Sequence, residues 1–274
     1  MKKIILLFIF CSSVAFAQKN KYEKSLNGIK KVNIESDATI TVVAGNTNEL
    51  VIEEVTRSSN SDYWDALEER EEKWEEGNKK KKIDRKKGLK AIYPGGEDNT
   101  DGFGFSITTE NGVLIVKDLK SHFQRSNVKI TLPKTMNIGV KIRNLGSIHM
   151  KGFTSEVEAN SNVGQINLKD VTGPITAHTS TGTVTVVFSS VSQSAPISIS
   201  SAVGEIDVAL PTNTKANLNL KTNATIYTNF DFKAEPKKGL KNISGLRKVN
   251  QEINGGGVNI KLHSAMGNIY LRKK

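Results

Sequence analysis

The sequence repeats a short apolar–polar–apolar pattern at nine-residue intervals through its second half. The first apolar position of each unit is occupied by Ile148, Val157, Ile166, Ile175, Val184, Ile197, Ile206, Ile260 and Ile269. The residue two positions further on is also apolar: Met150, Ala159, Leu168, Ala177, Val186, Ile199, Val208, Leu262 and Leu271. Four extra residues precede Ile197, after which the interval resumes. Alternation of period two predicts short strands with one buried and one solvated face.

A glycine stands two residues before the first apolar position in six of these nine units. They are Gly146, Gly164, Gly173, Gly182, Gly204 and Gly267. Glycine tolerates positive φ and therefore suits a tight corner that leads into each strand. Strands this short cannot bury an apolar face alone, so we expect an all-β fold in which they stack in parallel as a β-solenoid. The nearly constant spacing disfavours the competing fold, an antiparallel sandwich. The period leaves open whether one turn uses two units (about 18 residues) or three (about 27).

The first half of the chain shows the same alternation with less regular spacing. Strands are predicted at 32–34, 40–42, 51–52, 113–116 and 128–132. Pro133 and Pro211 each follow a leucine, and we expect both to end a strand because proline cannot donate to the ladder.

The N-terminus has the pattern of a secretory signal peptide at residues 1–17. Lys2 and Lys3 precede an apolar run that ends in Ala-Phe-Ala, and that run is shorter than the roughly 20 residues of a membrane span. We therefore expect an exported protein, periplasmic, at the outer cell surface or secreted, whose mature part (18–274) forms one β-solenoid domain. Cleavage would remove Cys11, the only cysteine, and would leave 37 basic against 28 acidic residues, a net charge of +9.

Residues 61–90 form a charged insertion that differs from the rest of the chain, and its composition predicts a helix near 62–76. An acidic stretch is followed by a basic one, and both tryptophans of the protein lie here. One interpretation is a protruding arm that binds a partner or membrane surface through its tryptophans and basic end. The other is a helix packed against the side of the solenoid. The candidate partner-binding residues are Trp64, Trp74, Lys79, Lys80, Lys81, Lys82 and Arg85.

No motif of catalysis, cofactor binding or metal binding is recognisable, so no such residue or cofactor is predicted. The histidines are His122, His149, His178 and His263. His178 and His263 share a phase of the repeat, but their separation in sequence predicts distant turns. Glu156, Glu158, Glu205 and Asp207 should face solvent and could converge if their turns are adjacent.

Residues 128–215 resemble a bacterial family of exported β-strand-repeat proteins named "putative adhesins", related to head-domain autotransporter adhesins. The resemblance rests on the segments VKITLP from Val128, GQINL from Gly164, VTGPITA from Val171, TSTGTVTV from Thr179 and GEIDVALP from Gly204. It implies a binding role and carries no catalytic residues over to this chain.

The resulting hypothesis is an exported, non-enzymatic, adhesin-like surface-binding or scaffolding protein of the cell envelope. Its positive charge suits anionic envelope polymers or glycans, or a membrane-associated protein. No nucleic-acid partner is expected, because no strand face alternates aromatic with basic residues. Two alternatives remain: a carbohydrate-active enzyme on the same scaffold, and an envelope-stress accessory factor that docks on a membrane partner.

Overall fold

The computed structural model describes residues 21–54, 89, 91–121, 128–232 and 247–274. These residues form twenty strands in two mixed ten-stranded sheets and contain no helix, so none of them builds an apolar helix able to cross a bilayer. The all-β prediction is confirmed. The predicted signal peptide and the predicted helix at 62–76 lie outside the described residues, as does the whole of 61–90 apart from Leu89.

The strands are β1 (Lys21–Ser25), β2 (Lys31–Ser36), β3 (Ile40–Gly45), β4 (Glu49–Glu54), β5 (Phe105–Glu110), β6 (Val113–Asp118), β7 (Val128–Pro133), β8 (Asn137–Leu145), β9 (Ile148–Lys151), β10 (Val157–Val163), β11 (Ile166–Val171), β12 (Ile175–Thr181), β13 (Val184–Phe188), β14 (Ile197–Val203), β15 (Ile206–Leu210), β16 (Ala216–Thr222), β17 (Ile226–Thr228), β18 (Arg247–Ile253), β19 (Val258–Ser264) and β20 (Ile269–Lys273). All five strands predicted in the first half are present as β2, β3, β4, β6 and β7.

From β8 to β17 the chain alternates between the sheets, whereas β18 and β19 both belong to sheet B. Sheet A has the order β1-β4-β7-β3-β9-β11-β13-β15-β20-β17, and sheet B has the order β18-β16-β19-β14-β12-β10-β8-β2-β6-β5. One strand of sheet B and the following strand of sheet A make a unit that we call a rung. Between β9 and β13, parallel neighbours are 18 residues apart, as in Val157 opposite Ile175 and Ile166 opposite Val184. This offset equals two nine-residue units and not three.

Chain order is broken towards both ends of the stack. β19 and β20 lie between the rung β14–β15 and the rung β16–β17, and β2 and β3 lie between β6–β7 and β8–β9. The periodic pattern does not specify this order, because any strand with the same apolar face fits any parallel neighbour.

Antiparallel strands lie at three of the four sheet ends, so the prediction of a purely parallel arrangement is wrong there, while β17 ends sheet A as a parallel strand. β5 pairs with β6, β4 with β7, β1 with β4, and β18 with β16. The last parallel strand of a stack would leave a row of unpaired N–H and C=O groups, and an added antiparallel strand pairs with them.

The core is a double row of aliphatic side chains between the two sheets. All eighteen apolar residues of the nine repeat units are buried, none of them more than 1% exposed, which confirms the predicted inward face. The largest fully buried side chains of the core include three aromatic residues, Phe105, Phe153 and Phe188.

Glycines mark one corner of the stack, where the chain passes from sheet B to sheet A. They are Gly146, Gly164, Gly182, Gly204 and Gly267. At Gly182 φ is +149°, and a Cβ atom would lie 2.6 Å from the carbonyl carbon of Gly164 in the next rung. Gly173 was expected to play the same role, but it precedes a strand of sheet B at the opposite corner.

A buried hydroxyl accompanies this glycine corner in successive rungs. Each hydroxyl donates to the carbonyl oxygen of the corner glycine in the neighbouring rung: Ser161 to Gly146, Thr179 to Gly164, Ser201 to Gly182, Ser264 to Gly204 and Thr222 to Gly267. The corner is therefore held by hydrogen bonds that satisfy carbonyls which face the interior.

Candidate binding surface on sheet B

The candidate partner-binding residues of the insertion lie outside the described residues. This applies to Trp64, Trp74, Lys79, Lys80, Lys81, Lys82 and Arg85, and their role stays a prediction. His122 also lies outside them.

The four carboxylates that could have converged are on opposite sheets. Glu156 and Glu158 belong to the sheet B side, where Lys31 Nζ lies 3.0 Å from Glu158 Oε1. The hydrogen bond from Lys31 lowers the pKa of Glu158. On sheet A, Arg272 donates two hydrogen bonds to Asp207, of 2.8 and 2.9 Å.

Glu205 is also engaged on the sheet A side. Its Oε1 accepts hydrogen bonds from the Tyr270 hydroxyl and from Asn268, each 3.1 Å long. The carboxylates thus form separate, satisfied contacts on two faces and do not line a common groove.

His178 and His263 lie much closer together than their sequence separation predicts. In the register of sheet B, His178 is opposite Ser200 and Ser200 is opposite His263. Only one strand separates the two histidines, because β19 pairs with β14. His178 Nδ1 lies 2.9 Å from Ser200 Oγ.

The same row continues into lysines at the C-terminal end of the sheet. His263 is opposite Lys221, and Lys221 is opposite Lys248 across the antiparallel β16–β18 pair. Lys261 lies on the same outer face as His263, two residues earlier. Lys221, Lys248, Lys261 and His263 are called the lysine cluster below. Within the described part of the chain, no carboxylate comes within ion-pair distance of its lysines.

The positive charges of the lysine cluster repel one another when no ligand is bound. Like charges directly opposite each other in a sheet are destabilising. Burial lowers the pKa of His263, and the positive charges of Lys221 and Lys261 lower it further. An anion placed above the row would be attracted by the charges of the three lysines.

A shallow, open groove of about 560 Å³ adjoins the cluster and shares Lys261 with it. Four asparagines form most of its outward-facing lining, Asn217, Asn219, Asn250 and Asn259, and the lining also contains one carboxylate, Glu252, opposite Asn217. Asn219 Nδ2 donates a 2.6 Å hydrogen bond to Asn250 Oδ1, and Asn217 Nδ2 donates one of 3.0 Å to the carbonyl of Gly257. Carboxamides can both donate to and accept from hydroxyl groups, so the groove suits a polyhydroxylated ligand.

Exposed aliphatic side chains line the glycine corner. Leu145, Val163, Val203 and Met266 each directly precede a corner glycine and are 57%, 41%, 46% and 72% exposed. We call this set the apolar ridge. Among the described residues no group of three or more His, Cys, Asp or Glu side chains is arranged to hold a metal ion.

Sequence reasoning missed the lysine cluster although part of its signal was present. The outward phase of Lys221, Lys261 and His263 follows from period-two alternation, and the 18-residue spacing of the corner glycines indicates two strands in each turn. The missing information was that β18 and β19 both pair with β16.

No known family profile and no curated protein matches the sequence. Among solved structures, the chain is similar to a "putative cell adhesion protein" from Clostridium sporogenes ATCC 15579, with 13% identity and a TM-score of 0.42 over 93% of this chain and 99% of that one. It is also similar to a "putative adhesin" from Bacteroides fragilis NCTC 9343, with 12% identity and a TM-score of 0.32 over 93% of this chain and 96% of that one. Both descriptions match that of the family which residues 128–215 resemble.

Proposed function

We propose that this protein is an exported, non-enzymatic, adhesin-like binding protein that holds acidic polysaccharides on the outer face of sheet B. The observation that carries the proposal is the direct opposition of Lys221 and Lys248, beside Lys261 and next to a groove of asparagines. The lysines attract carboxylate, sulfate or phosphate groups, and the asparagines bind sugar hydroxyls.

A two-strand β-solenoid is the scaffold that we propose for this surface. The alternation of strands between sheets A and B and the 18-residue offset of parallel neighbours support it. In such a scaffold outward residues recur about every 4.8 Å along the stack, which gives a long flat face that suits a polymer.

The shape of the groove favours a polymer over a small molecule. The groove is open and shallow, whereas sites for small ligands are usually enclosed enough to bury most of the ligand. Binding by an extended chain with several weak contacts needs no deep cavity.

The positions and ion pairs of the acidic residues support a non-enzymatic role. The carboxylates considered for glycoside cleavage are on two faces, and Glu158 and Asp207 are each paired with a basic side chain. A retaining or inverting glycosidase needs two carboxyl groups within about 5–10 Å of each other across one bond.

The test is binding of the mature full-length chain to an acidic polysaccharide, polygalacturonate, with neutral dextran as the comparison. A Lys221→Gln, Lys248→Gln, Lys261→Gln variant should weaken binding to polygalacturonate by roughly 100-fold, and added salt should weaken the wild type. The matched control replaces Lys134, Lys151 and Lys215 by glutamine, which changes the net charge equally at other places.

Equal losses in the two triple variants would show a general charge effect and would sink the proposed site. Release of reducing sugar from polygalacturonate would overturn the non-enzymatic role. Deletion of residues 61–90 in parallel tests whether the basic stretch of the insertion contributes. If it alone abolishes binding, the site lies in the insertion and not on sheet B.

A further inference from the structure

The lysine cluster lies at one end of a longer row of outward-facing residues on sheet B. The strand register places each member of the row directly opposite the next, and none of these residues is buried. We call this set the basic row: Lys248, Lys221, His263, Ser200, His178 and Asn160. Neighbouring strands lie about 4.8 Å apart, so the row runs along the stack axis for roughly 24 Å.

The basic row itself contains no carboxylate. The next strand contributes Lys141, which lies opposite Asn160 and also opposite Glu35, so the first carboxylate in this register comes beyond the end of the row. On the six strands of the row, the acidic residue closest to it in sequence is Glu158, and Lys31 Nζ lies 3.0 Å from its Oε1. Six different strands therefore combine into a line of lysines, histidines and neutral hydrogen-bonding side chains.

His263 has lysines on three strands around it. Lys221 on β16 is directly opposite, Lys248 on β18 lies one strand further, and Lys261 is two residues earlier on β19. On its other side, β14 contributes the uncharged Ser200. Burial lowers the pKa of His263, and the charges of Lys221 and Lys261 lower it further. An anion above the row offsets this repulsion and therefore favours the protonated imidazole.

His178 is exposed and has uncharged neighbours on both sides. Ser200 Oγ lies 2.9 Å from its Nδ1, and Asn160 is opposite it on β10. The charged group diagonal to it is Glu158, which is paired with Lys31. A histidine side chain changes charge between about pH 5 and 8, so the basic row carries more positive charge as the pH falls.

We propose that the basic row is one continuous contact site for a linear polyanion that lies along the stack axis, and that His178 and His263 are binding residues of this site. This site rests on the proposed function and extends it from the lysine cluster to Asn160. By linkage, an anion that favours the charged imidazoles is itself bound more tightly when they are protonated. Neither the row nor the adjoining asparagine groove has an aromatic side chain for base stacking, which favours a polysaccharide over a single-stranded nucleic acid.

The experiment measures binding of the mature full-length chain to dextran sulfate at pH 5.5 and pH 7.5. Sulfate groups stay ionised at both values, so a change in affinity comes from the protein. The affinity of the wild type should be roughly tenfold higher at pH 5.5. A His178→Gln, His263→Gln variant should lose this difference and should bind like the wild type at pH 7.5. The matched control is His149→Gln on the outer face of sheet A, which should keep the difference.

A second pair of variants tests whether the polymer reaches the far end of the row. Asn160→Glu places a carboxylate at that end and should weaken binding at pH 5.5 by at least about fivefold. Thr185→Glu adds the same charge on the outer face of sheet A and should change the affinity by less than about twofold.

The proposal is overturned if the wild type binds equally at the two pH values, if the double histidine variant keeps the difference, or if the two glutamate variants bind alike. Tighter binding to single-stranded DNA than to dextran sulfate would make a nucleic acid the ligand and would also overturn it. Binding to polygalacturonate at pH 7.5 tests the proposed function separately, because it depends on the lysines and should be unchanged in the double histidine variant.

Discussion

Ser264 Oγ donates a 2.7 Å hydrogen bond to the carbonyl oxygen of Gly204, across 60 residues of sequence. The bond joins β19 to the corner of the rung β14–β15, which is the point where chain order is broken. Ser201 makes the equivalent bond to Gly182 one rung earlier. The rung of β19 and β20 is therefore held at the corner by the same hydrogen bond that joins the rungs formed by consecutive parts of the chain.

The buried hydroxyls at the glycine corner should contribute measurably to stability. Thr179→Val keeps the shape of the side chain but removes its 3.0 Å hydrogen bond to the Gly164 carbonyl. We expect the free energy of unfolding to fall by about 1–3 kcal/mol, measured by urea denaturation. Thr185→Val on the outer face of sheet A is the control and should change it by less than about 0.5 kcal/mol. Equal effects would show that the corner bond is unimportant.

The corner glycines should not tolerate alanine. In Gly182→Ala the new methyl group would overlap the carbonyl of Gly164, in a backbone conformation of φ +149°. We expect a loss of at least about 3 kcal/mol, or failure to fold. Gly28 has φ +77° with nothing within 4 Å, so Gly28→Ala isolates the backbone effect and should cost about 1–2 kcal/mol. If the two variants melt alike, steric contact between rungs is not what requires glycine.

A buried ion pair of Asp118 and Lys120 lies at the end of the stack formed by β5 and β6. Asp118 accepts hydrogen bonds from Ser36 Oγ at 2.9 Å and from the Lys120 backbone at 3.0 Å, and its Oδ1 lies 2.9 Å from Lys120 Nζ. Lys120 Nζ also lies 3.8 Å from the centre of the Phe105 ring, and burial lowers the pKa of Lys120.

Asp118→Ala leaves that lysine buried without its counter-charge. We expect the free energy of unfolding to fall by about 3–5 kcal/mol in urea denaturation. The partly exposed pair of Glu53 and Lys129 supplies the control, since Glu53→Gln should cost no more than about 1 kcal/mol. A similar small loss for Asp118→Ala would contradict the importance of the buried pair.

The lysine cluster should give stability a pH dependence through His263. The pKa of His263 is lowered from 6.5 in the folded protein by burial and then by Lys221 and Lys261, while His178, Ser200 and Lys248 lie in the same row. The unfolded chain therefore takes up the proton first, and this stability is present in full above about pH 6.5. It is lost progressively as the pH falls through 6.5 towards the folded pKa.

NMR titration of the His263 ring checks the cause of this shift. Lys221→Gln should raise the pKa of His263 towards 6.5, whereas Lys151→Gln on sheet A should leave it unchanged. In urea denaturation between pH 5 and 8, His263→Gln should lose the corresponding part of the pH dependence. An unchanged pKa in Lys221→Gln would show that the lysine does not act on His263.

The sequence indicates the two-strand rung when the glycines of one corner are considered apart from Gly173. Gly146, Gly164 and Gly182 recur at 18 residues and mark a corner that occurs once in every two strands. Ser161 and Thr179 stand three residues before their glycines, so the hydroxyl was visible as well. The glycine and the hydroxyl recur in the sequence because each rung makes the same corner contact with the next rung.

The sequence by itself determined which side chains face inward, because the period of two in a strand fixes them within a few residues of chain. It likewise determined the nine strands of the repeat, five strands of the first half and the strand ends at Pro133 and Pro211, but not β1, β5, β8, β16, β17 or β18. Only the tertiary structure decided that β19 pairs with both β14 and β16, which brings His263 beside Lys221 and one strand from His178. Every rung has the same apolar face, so the alternation of apolar and polar residues does not determine which two rungs lie next to each other. Pairing between strands that are far apart in the chain selects it, and the candidate binding surface depends on that selection.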